Sequence, residues 1–139
     1  TFAYRDVEGI QFLGTSSWNS PDFLLRIQAT GEQAHFVDAF FLESETTPVK
    51  NFISKYKATF GQTPSSLEAL AYDCAALLRT ALAASSKNAS RSDIRDQLKK
   101  IHDFPGITGV ISYKDGHFTR NLSLLKVKNG KFVEVSVRN

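Results

Sequence analysis

The residues best suited to chemistry lie together in one short polar stretch, residues 14–19. After Gly14 it carries three hydroxyls, one indole and one carboxamide, on Thr15, Ser16, Ser17, Trp18 and Asn19. Hydroxyl and amide groups donate and accept hydrogen bonds, and the indole offers an apolar face for stacking. Such a set suits non-covalent binding of a small polar molecule. An equally open alternative is a helix entry whose hydroxyls only cap backbone amides.

Covalent, metal and phosphate chemistry all lack their usual sequence patterns. The 139 residues contain no Gly-x-Ser-x-Gly, His-Glu-x-x-His, Cys-x-x-Cys or glycine-rich phosphate loop. The histidines His35, His102 and His117 stand at no diagnostic spacing from an acid. The single cysteine, Cys74, is expected to be a small buried hydrophobe. We therefore predict a protein without catalytic residues, metal ligands or cofactors.

Composition places the chain among ordinary folded domains. With 42% hydrophobic residues it can bury a core, and it contains no run of about 18 apolar residues that could span a membrane. Residues 1–73 carry 5 basic and 9 acidic side chains, whereas residues 74–139 carry 12 and 5. The basic residues are scattered, so they indicate a solvated surface and no nucleic-acid partner. Because the chain starts at Thr1 rather than Met, we expect a processed or partial chain.

Two predicted strands and a short helix would position the polar stretch. Residues 10–13 form an apolar run that ends at it, and Pro21 suits the first turn of a helix over 21–27. Residues 34–42 are apolar enough for a strand covered on both faces. Because ligands of open α/β sheets bind at the carboxyl ends of strands, Phe41 at the predicted strand end becomes a further pocket candidate.

Three helices are predicted next. Thr47 caps the first and Gly61 ends it, while the second spans 66–84 and begins with a Ser65–Glu68 capping box. The predicted core stripe of the second helix comprises Leu67, Leu70, Ala71, Cys74, Leu77, Leu78 and Ala81. On the same helix Asp73 is expected to hydrogen-bond a nearby loop, and Tyr72 is expected to pack. The third helix is marked by Ile94, Leu98 and Ile101, with Ser90 or Ser92 as its cap.

The tail changes to strand-like patterns. Its β-rich runs are 108–113, 117–127 and 131–137, separated by Asp115-Gly116 and Asn129-Gly130. Both dipeptides favour two-residue turns with positive φ, so a β-meander or at least one hairpin is predicted. The order of elements indicates an α/β fold, although one or two early strands make a poor parallel sheet by themselves.

Motifs in the helices and the tail bear a family resemblance. The helical motif is Phe52-x-x-x-Tyr56-x-x-x-Phe60-Gly61-x-x-Pro64, followed by Ala71-Tyr72-Asp73-Cys74-Ala75. The tail motif is Phe104-Pro105-Gly106-Ile107-Thr108-Gly109 with the two later turn dipeptides. Together they resemble the type I periplasmic binding proteins, and more narrowly the leucine/isoleucine/valine-binding family of ABC-transporter receptors. Residues 4–21 are similar to a branch known as penicillin-binding-protein activators.

The resemblance implies the C-terminal part of a two-lobed type I fold. Residues 1–42 would belong to the second lobe, 43–119 would be a helical segment returning to the first lobe, and 120–139 would be strands crossing back. The hinge residues implied at the crossings are Leu42, Glu43, Ser44 and Arg120. The remainder of the chain or a second copy would be needed to complete the lobes.

The function implied by the resemblance is reversible capture of a solute, without catalysis. The chain would be an extracytoplasmic, solute-binding module of an ABC transporter that holds a small polar or amino-acid-like ligand between its lobes. Its ligand-binding residues would be Thr15, Ser16, Ser17, Trp18, Asn19 and Phe41, and its partner would be a membrane permease. We expect a periplasmic or other extracytoplasmic location, with lipid anchoring through a preceding segment as one option.

The loop departs from the family at one position. Amino-acid receptors usually place an acidic residue there to meet the ligand ammonium, whereas the matching residue here is Ser16. Because an uncompensated buried ammonium is costly, this departure favours a neutral polar ligand or no transport ligand. The alternative function is a ligand-independent regulator of peptidoglycan synthesis that binds a penicillin-binding protein.

Overall fold

Seven strands and four helices make up the part of the chain that the computed structural model describes, residues 10–27 and 34–135. The strands and helices follow one another as a mixed α/β sequence. Their bounds are β1 Phe12–Gly14, α1 Pro21–Ile27, β2 Ala34–Asp38, α2 Thr47–Phe60, α3 Ser66–Ala83, α4 Arg91–Leu98, β3 Phe104–Gly106, β4 Gly109–Lys114, β5 His117–Arg120, β6 Ser123–Lys128 and β7 Lys131–Glu134.

The first sheet joins the two ends of the described chain, in the order β1-β2-β6-β7. β1 and β2 are parallel, and the β6–β7 hairpin adds to β2 in antiparallel register, with Phe36 opposite Leu125. Phe36 and Leu125 are almost completely buried. The polar stretch 14–19 follows β1 directly, so this sheet sets its position.

The second sheet is a meander of β3, β4 and β5. Helices pack beside it in two apolar clusters. One cluster holds Phe40, Val49, Phe52, Ala69 and Ile107, and the other holds Leu77, Ile101 and Ile111.

The two predicted turn dipeptides are confirmed, but they lie in different sheets. Asp115-Gly116 has φ values of 51° and 88° between β4 and β5, and Asn129-Gly130 has 50° and 70° between β6 and β7. The predicted run 117–127 is broken at residues 121–122, because the chain leaves the second sheet after β5 and pairs with β2. The tail is therefore a meander followed by a separate hairpin.

Strand β2 is shorter and less enclosed than predicted. It ends at Asp38, which pairs with Ser123 at the start of β6, so residues 39–42 have no partner strand. Within the described residues only one face of β2 is covered, since Phe36 is buried whereas Val37 is 39% exposed. Phe41 consequently lies three residues beyond the strand end.

The helix starts agree closely with the sequence signals. The predicted Ser65–Glu68 capping box is present, and Ser90 caps α4 in a second box with Asp93. For α2 the cap is Thr46 and not Thr47, without a side-chain cap bond. Gly61 ends α2 in the left-handed region at φ 70°, as predicted.

Both capping boxes change the acidity of their carboxyl groups. The Ser65 hydroxyl and amide donate to Glu68 and lower its pKa, and the Ser90 amide and hydroxyl do the same for Asp93. A carboxyl whose pKa is lowered by folding stabilises the fold above its unfolded-state pKa. That contribution is lost as the pH falls through the lowered pKa.

The predicted core stripe of α3 is confirmed at Leu77 and Ala81 and is wrong at Leu67, Ala71, Cys74 and Leu78. The buried face holds Ala69, Asp73, Leu77 and Ala81, whereas Leu67 is 71% exposed and the Cys74 thiol is also exposed. The prediction followed hydrophobicity alone. The packed face of the helix includes a buried polar residue, Asp73, whereas Leu67, Leu78 and Leu82 lie on the outward face.

The Asp73 carboxylate anchors α3 to the loop between β3 and β4, as predicted. It is 1% exposed and accepts hydrogen bonds from the Ile107 amide (3.0 Å), the Thr108 amide (2.8 Å) and the Thr108 hydroxyl (2.6 Å). A Cβ atom at Gly106 would lie only 2.6 Å from the Asp73 carboxylate, so a side chain there would displace it. Tyr72 packs on Phe52 with ring centroids 5.0 Å apart.

We expect Asp73→Ala to lower the free energy of unfolding by roughly 3 kcal/mol, because the buried amides of Ile107 and Thr108 lose their acceptor. Chemical denaturation would measure the change. The control is Cys74→Ser on the exposed face of the same helix, expected to shift stability by less than about 0.5 kcal/mol. An Asp73→Ala protein as stable as the control would contradict the anchoring role.

Candidate functional site

A cavity of about 250 Å³ lies where the loop after β1, the end of β2 and the start of α3 meet. Its walls combine apolar side chains from four segments with hydroxyl, amide and carboxylate groups. The described lining residues are Asn19, Ser20, Pro21, Leu24, Phe40, Leu42, Glu43, Thr63, Pro64, Ser65, Ser66 and Phe132. Small-molecule sites have this mixture of apolar surface and a few polar groups.

A polar cluster holds the three segments together beside the cavity. The Asn19 side-chain amide donates to the Asp38 carboxylate (2.7 Å) and to the Phe40 carbonyl (2.8 Å). The Ser66 hydroxyl donates to the same Asp38 oxygen at 2.8 Å. The Ala39 amide donates to the other oxygen of Asp38, which is 3% exposed. The last residue of the polar stretch is thereby fixed to both β2 and α3.

Two adjacent serines at the start of α3 have different roles. Ser65 caps the helix, because its hydroxyl accepts a hydrogen bond from the Leu67 amide. The Ser66 hydroxyl is consequently available for Asp38 and for Asn19, which approaches it at 3.3 Å. The capping box therefore orients the side chain that joins the cluster.

Trp18 packs against the first sheet and does not line the cavity. Its ring stacks on Phe23 at a centroid distance of 4.7 Å and meets Phe36 edge-on at 6.4 Å. Phe132 of β7 completes this aromatic cluster through Phe36 and Phe23. A Cβ at Gly14 would lie 2.3 Å from the indole, so the absence of a side chain at Gly14 makes room for the ring.

The predicted binding residues are only partly brought together. Asn19 lines the cavity, whereas the exposed hydroxyls of Thr15 and Ser17 bond to each other at 3.1 Å. Ser16 begins a 3₁₀ turn, Ser16–Trp18, and is exposed. Phe41 does not line this cavity, and its neighbour Phe40 does. A ligand-binding role for the predicted six residues stays a prediction.

The predicted hinge residues lie at two separate places. Leu42 and Glu43 line the cavity, and the Ser44 amide donates to the Phe41 carbonyl in a turn. Arg120 ends β5, where its guanidinium donates to the Thr108 hydroxyl at 2.6 Å. Thr108 donates in turn to Asp73. The end of the second sheet is thus connected to α3 through side chains.

The cavity carries little charge and no residue set for covalent chemistry. Glu43 is the one ionisable side chain among its described lining residues. The described residues contain no group of three or more His, Cys, Asp or Glu side chains able to hold a metal ion. Hydrogen bonding and apolar contact are therefore the interactions that the arrangement can provide.

Sequence reasoning missed Asp38 and Ser66. Asp38 carried a usable signal, because an acidic residue at the end of an apolar strand is rarely buried without a partner. Ser66 carried none, because the capping pattern accounted only for Ser65.

The two sheets and the helices form a mixed α/β fold with a cavity at strand ends. The sequence profile of the periplasmic binding protein family matches residues 3–131. The chain belongs to this family, which confirms the family resemblance of its motifs. The narrower similarity to penicillin-binding-protein activators stays a prediction. No curated protein sequence matches the chain significantly.

Solved structures share the fold. A Rhodospirillum rubrum protein named for branched-chain amino acid ABC transport is 24% identical, with TM-score 0.84 over 95% of this chain and 39% of its own. The leucine-binding protein LivK from Thermotoga maritima is 24% identical, with TM-score 0.78 over 99% and 39%. LivJ from Streptococcus pneumoniae, solved with isoleucine, is 29% identical, with TM-score 0.67 over 96% and 40%. The chain thus spans about two-fifths of the length of each.

Replacing Asn19 tests the polar cluster. Asn19→Asp keeps the side-chain size but places a second carboxylate against Asp38, so we expect the free energy of unfolding at neutral pH to fall by about 2 kcal/mol or more. Ser17→Asp adds the same charge at an exposed position and serves as the control. Equal stability of the two variants in urea denaturation would contradict the cluster.

Trp18 offers a spectroscopic test, because it is the single tryptophan of the chain. Gly14→Ala should push the indole off Phe23 and shift its fluorescence emission to longer wavelength as the ring becomes solvated. The control is Leu13→Ala, at a neighbouring side chain that is 77% exposed. Unchanged emission of Gly14→Ala would contradict the packing described for Trp18.

Proposed function

We propose that the chain is part of an extracytoplasmic solute-binding protein of an ABC transporter, holding a small polar or amino-acid-like ligand. The observation that carries this proposal is the cavity between β2, the loop after β1 and α3, lined by both apolar and hydrogen-bonding groups. Membership of the periplasmic binding protein family supports the same function. A membrane permease is the proposed partner.

The two groups of strands and helices are proposed to belong to different lobes. β1, β2, β6 and β7 share one sheet, whereas β3 to β5 form another beside α2 to α4. The chain passes between these groups at residues 39–46 and 121–122, close to the proposed hinge residues Leu42, Glu43, Ser44 and Arg120. We propose that closure about these crossings captures the ligand.

An extracytoplasmic location follows from the same proposal, because the family binds solutes outside the cytoplasm. None of the helices in residues 10–27 and 34–135 is both long and apolar enough to cross a bilayer. Regulation of a penicillin-binding protein stays an alternative.

The outward face of α3 is apolar enough to pack against another part of the protein. Leu67, Leu78 and Leu82 are 71%, 45% and 49% exposed, and they lie on one stripe of the 18-residue helix. A continuous apolar stripe of this kind is typical of a buried helix face. We propose that the remainder of the protein or a second copy covers it, as completion of the lobes requires.

Binding of solutes to the full-length chain tests the proposal. A ligand at 100 times its dissociation constant should stabilise the protein by about 2.7 kcal/mol, which a thermal-shift screen of amino acids and neutral polar solutes would detect. Pull-down with penicillin-binding proteins runs beside it. Binding to these enzymes together with no solute hit would favour the regulatory alternative.

The predicted role of the loop hydroxyls can be tested with the solute found. Ser16→Ala combined with Ser17→Ala should weaken its binding by about thirtyfold, because the two lost hydrogen bonds contribute roughly 1 kcal/mol each. Thr80→Ala is the control, since that hydroxyl bonds only within α3. Unchanged calorimetric affinity of the double variant would remove these serines from the site.

A further inference from the structure

We propose that a second cavity, between α2 and α3, binds a phosphate group. This cavity has a volume of about 290 Å³ and shares no described lining residue with the cavity beside Asn19. Its walls carry two cationic side chains, Lys55 of α2 and Arg79 of α3, and residues of β3 also line it. The site goes beyond solute capture, because the proposed function uses neither of these cations.

Helical periodicity brings the two cations to the same cavity. On α2, Asn51 and Lys55 are four positions apart, and on α3, Ala76 and Arg79 are three apart, so each pair lies on one face of its helix. Both faces line the second cavity. Ala76 contributes only a methyl group there, which leaves room for a ligand between the two helices.

Neither cation is neutralised by the protein. The side chains of Lys55 and Arg79 are exposed, and they form no ion pair or hydrogen bond with any described residue. No acidic residue occurs within four positions of either one, so a salt bridge along its own helix cannot form. Lys50 on α2 differs, because it pairs with Glu45. An anion in the second cavity would therefore be attracted by two uncompensated charges.

Asp73 is the one acidic residue in the described lining, and its oxygen atoms are already occupied. They accept hydrogen bonds from the Ile107 amide and from the amide and hydroxyl of Thr108. Arg120 donates to the same Thr108 hydroxyl, which places a further cation near this carboxylate. Since Asp73 is only 1% exposed, the charge that the second cavity presents to solvent is positive.

The donors around the second cavity match a phosphate group. The Arg79 guanidinium can donate two parallel hydrogen bonds, and Lys55 adds a flexible point charge. Asn51 and Tyr72 add a carboxamide and a phenol hydroxyl that can also donate. A phosphate monoester carries roughly two negative charges and three acceptor oxygens, so it can be shared between both walls. The volume admits such a group with a small organic body.

Titration of the full-length protein tests the site with three probes: inorganic phosphate, glycerol 3-phosphate, and vesicles of phosphatidylglycerol with phosphatidylcholine. Calorimetry and amide NMR shifts follow the soluble probes, and cosedimentation follows the vesicles. The wild type should bind at least one probe, and a soluble one should shift the amide resonances of Lys55, Ala76 and Arg79. Lys55→Gln and Arg79→Gln should each weaken binding of that probe at least about tenfold, because each removes a charge-assisted hydrogen bond.

Lys57→Gln and Arg91→Gln are matched controls. They remove the same charges from exposed positions outside the described lining of the second cavity, so they should change the affinity by less than about twofold. Tightest binding of the vesicles would identify a lipid headgroup as the source of the phosphate, and tightest binding of a soluble probe would identify a free phosphate compound.

The assignment is overturned if no probe binds, if the controls weaken binding as much as the cavity variants do, or if the shifted amides lie elsewhere. Its outcome is separate from that of the proposed function. Lys55→Gln and Arg79→Gln should retain any solute found by the thermal-shift screen, and failure of that screen leaves the phosphate site in place.

Discussion

One buried carboxylate, that of Asp38, joins the three segments on which the candidate site depends. Its two oxygens accept hydrogen bonds from the loop after β1, from the chain just beyond β2 and from the first turn of α3. These segments are distant from one another in sequence. Because Asp38 is 3% exposed, loss of any one donor leaves a desolvated charge less well compensated. The position of Asn19 relative to α3 is therefore strongly constrained.

A second buried carboxylate, that of Asp73, makes similar contacts further along α3. Asp73 holds the loop between β3 and β4, and Thr108 extends this contact to Arg120 at the end of β5. Ser66 and Asp73 lie seven residues apart on α3, which places them on the same face of the helix. One helix face thus connects to the first sheet near its start and to the second sheet near its middle. Because α3 is one continuous helix, it connects the cavity with the segment that follows Arg120, where the chain passes between the two sheets.

The sequence predicted local features well and non-local ones poorly, for physical reasons. The capping box at Ser65 and the turn at Asn129-Gly130 depend on interactions between residues at most three positions apart, so pattern suffices. The cavity depends on Asn19, Asp38 and Ser66, which only the folded chain brings together. Burial on α3 was mispredicted in part, because hydrophobicity alone cannot indicate that Asp73 is buried with its hydrogen-bond partners.

The same distinction explains why the polar stretch reaches the cavity through Asn19 alone and does not indicate the charge of the cavity. A hydroxyl-rich loop after a strand marks where a ligand can meet the sheet edge, since strand ends converge there. It does not show which other segments face it. The absence of an acid in residues 14–19 favoured a neutral ligand, but the cavity is shared with Glu43 of the segment after β2. The electrostatic preference of a site belongs to every segment that lines it, and so an acid missing from one loop is no argument against a cationic ligand.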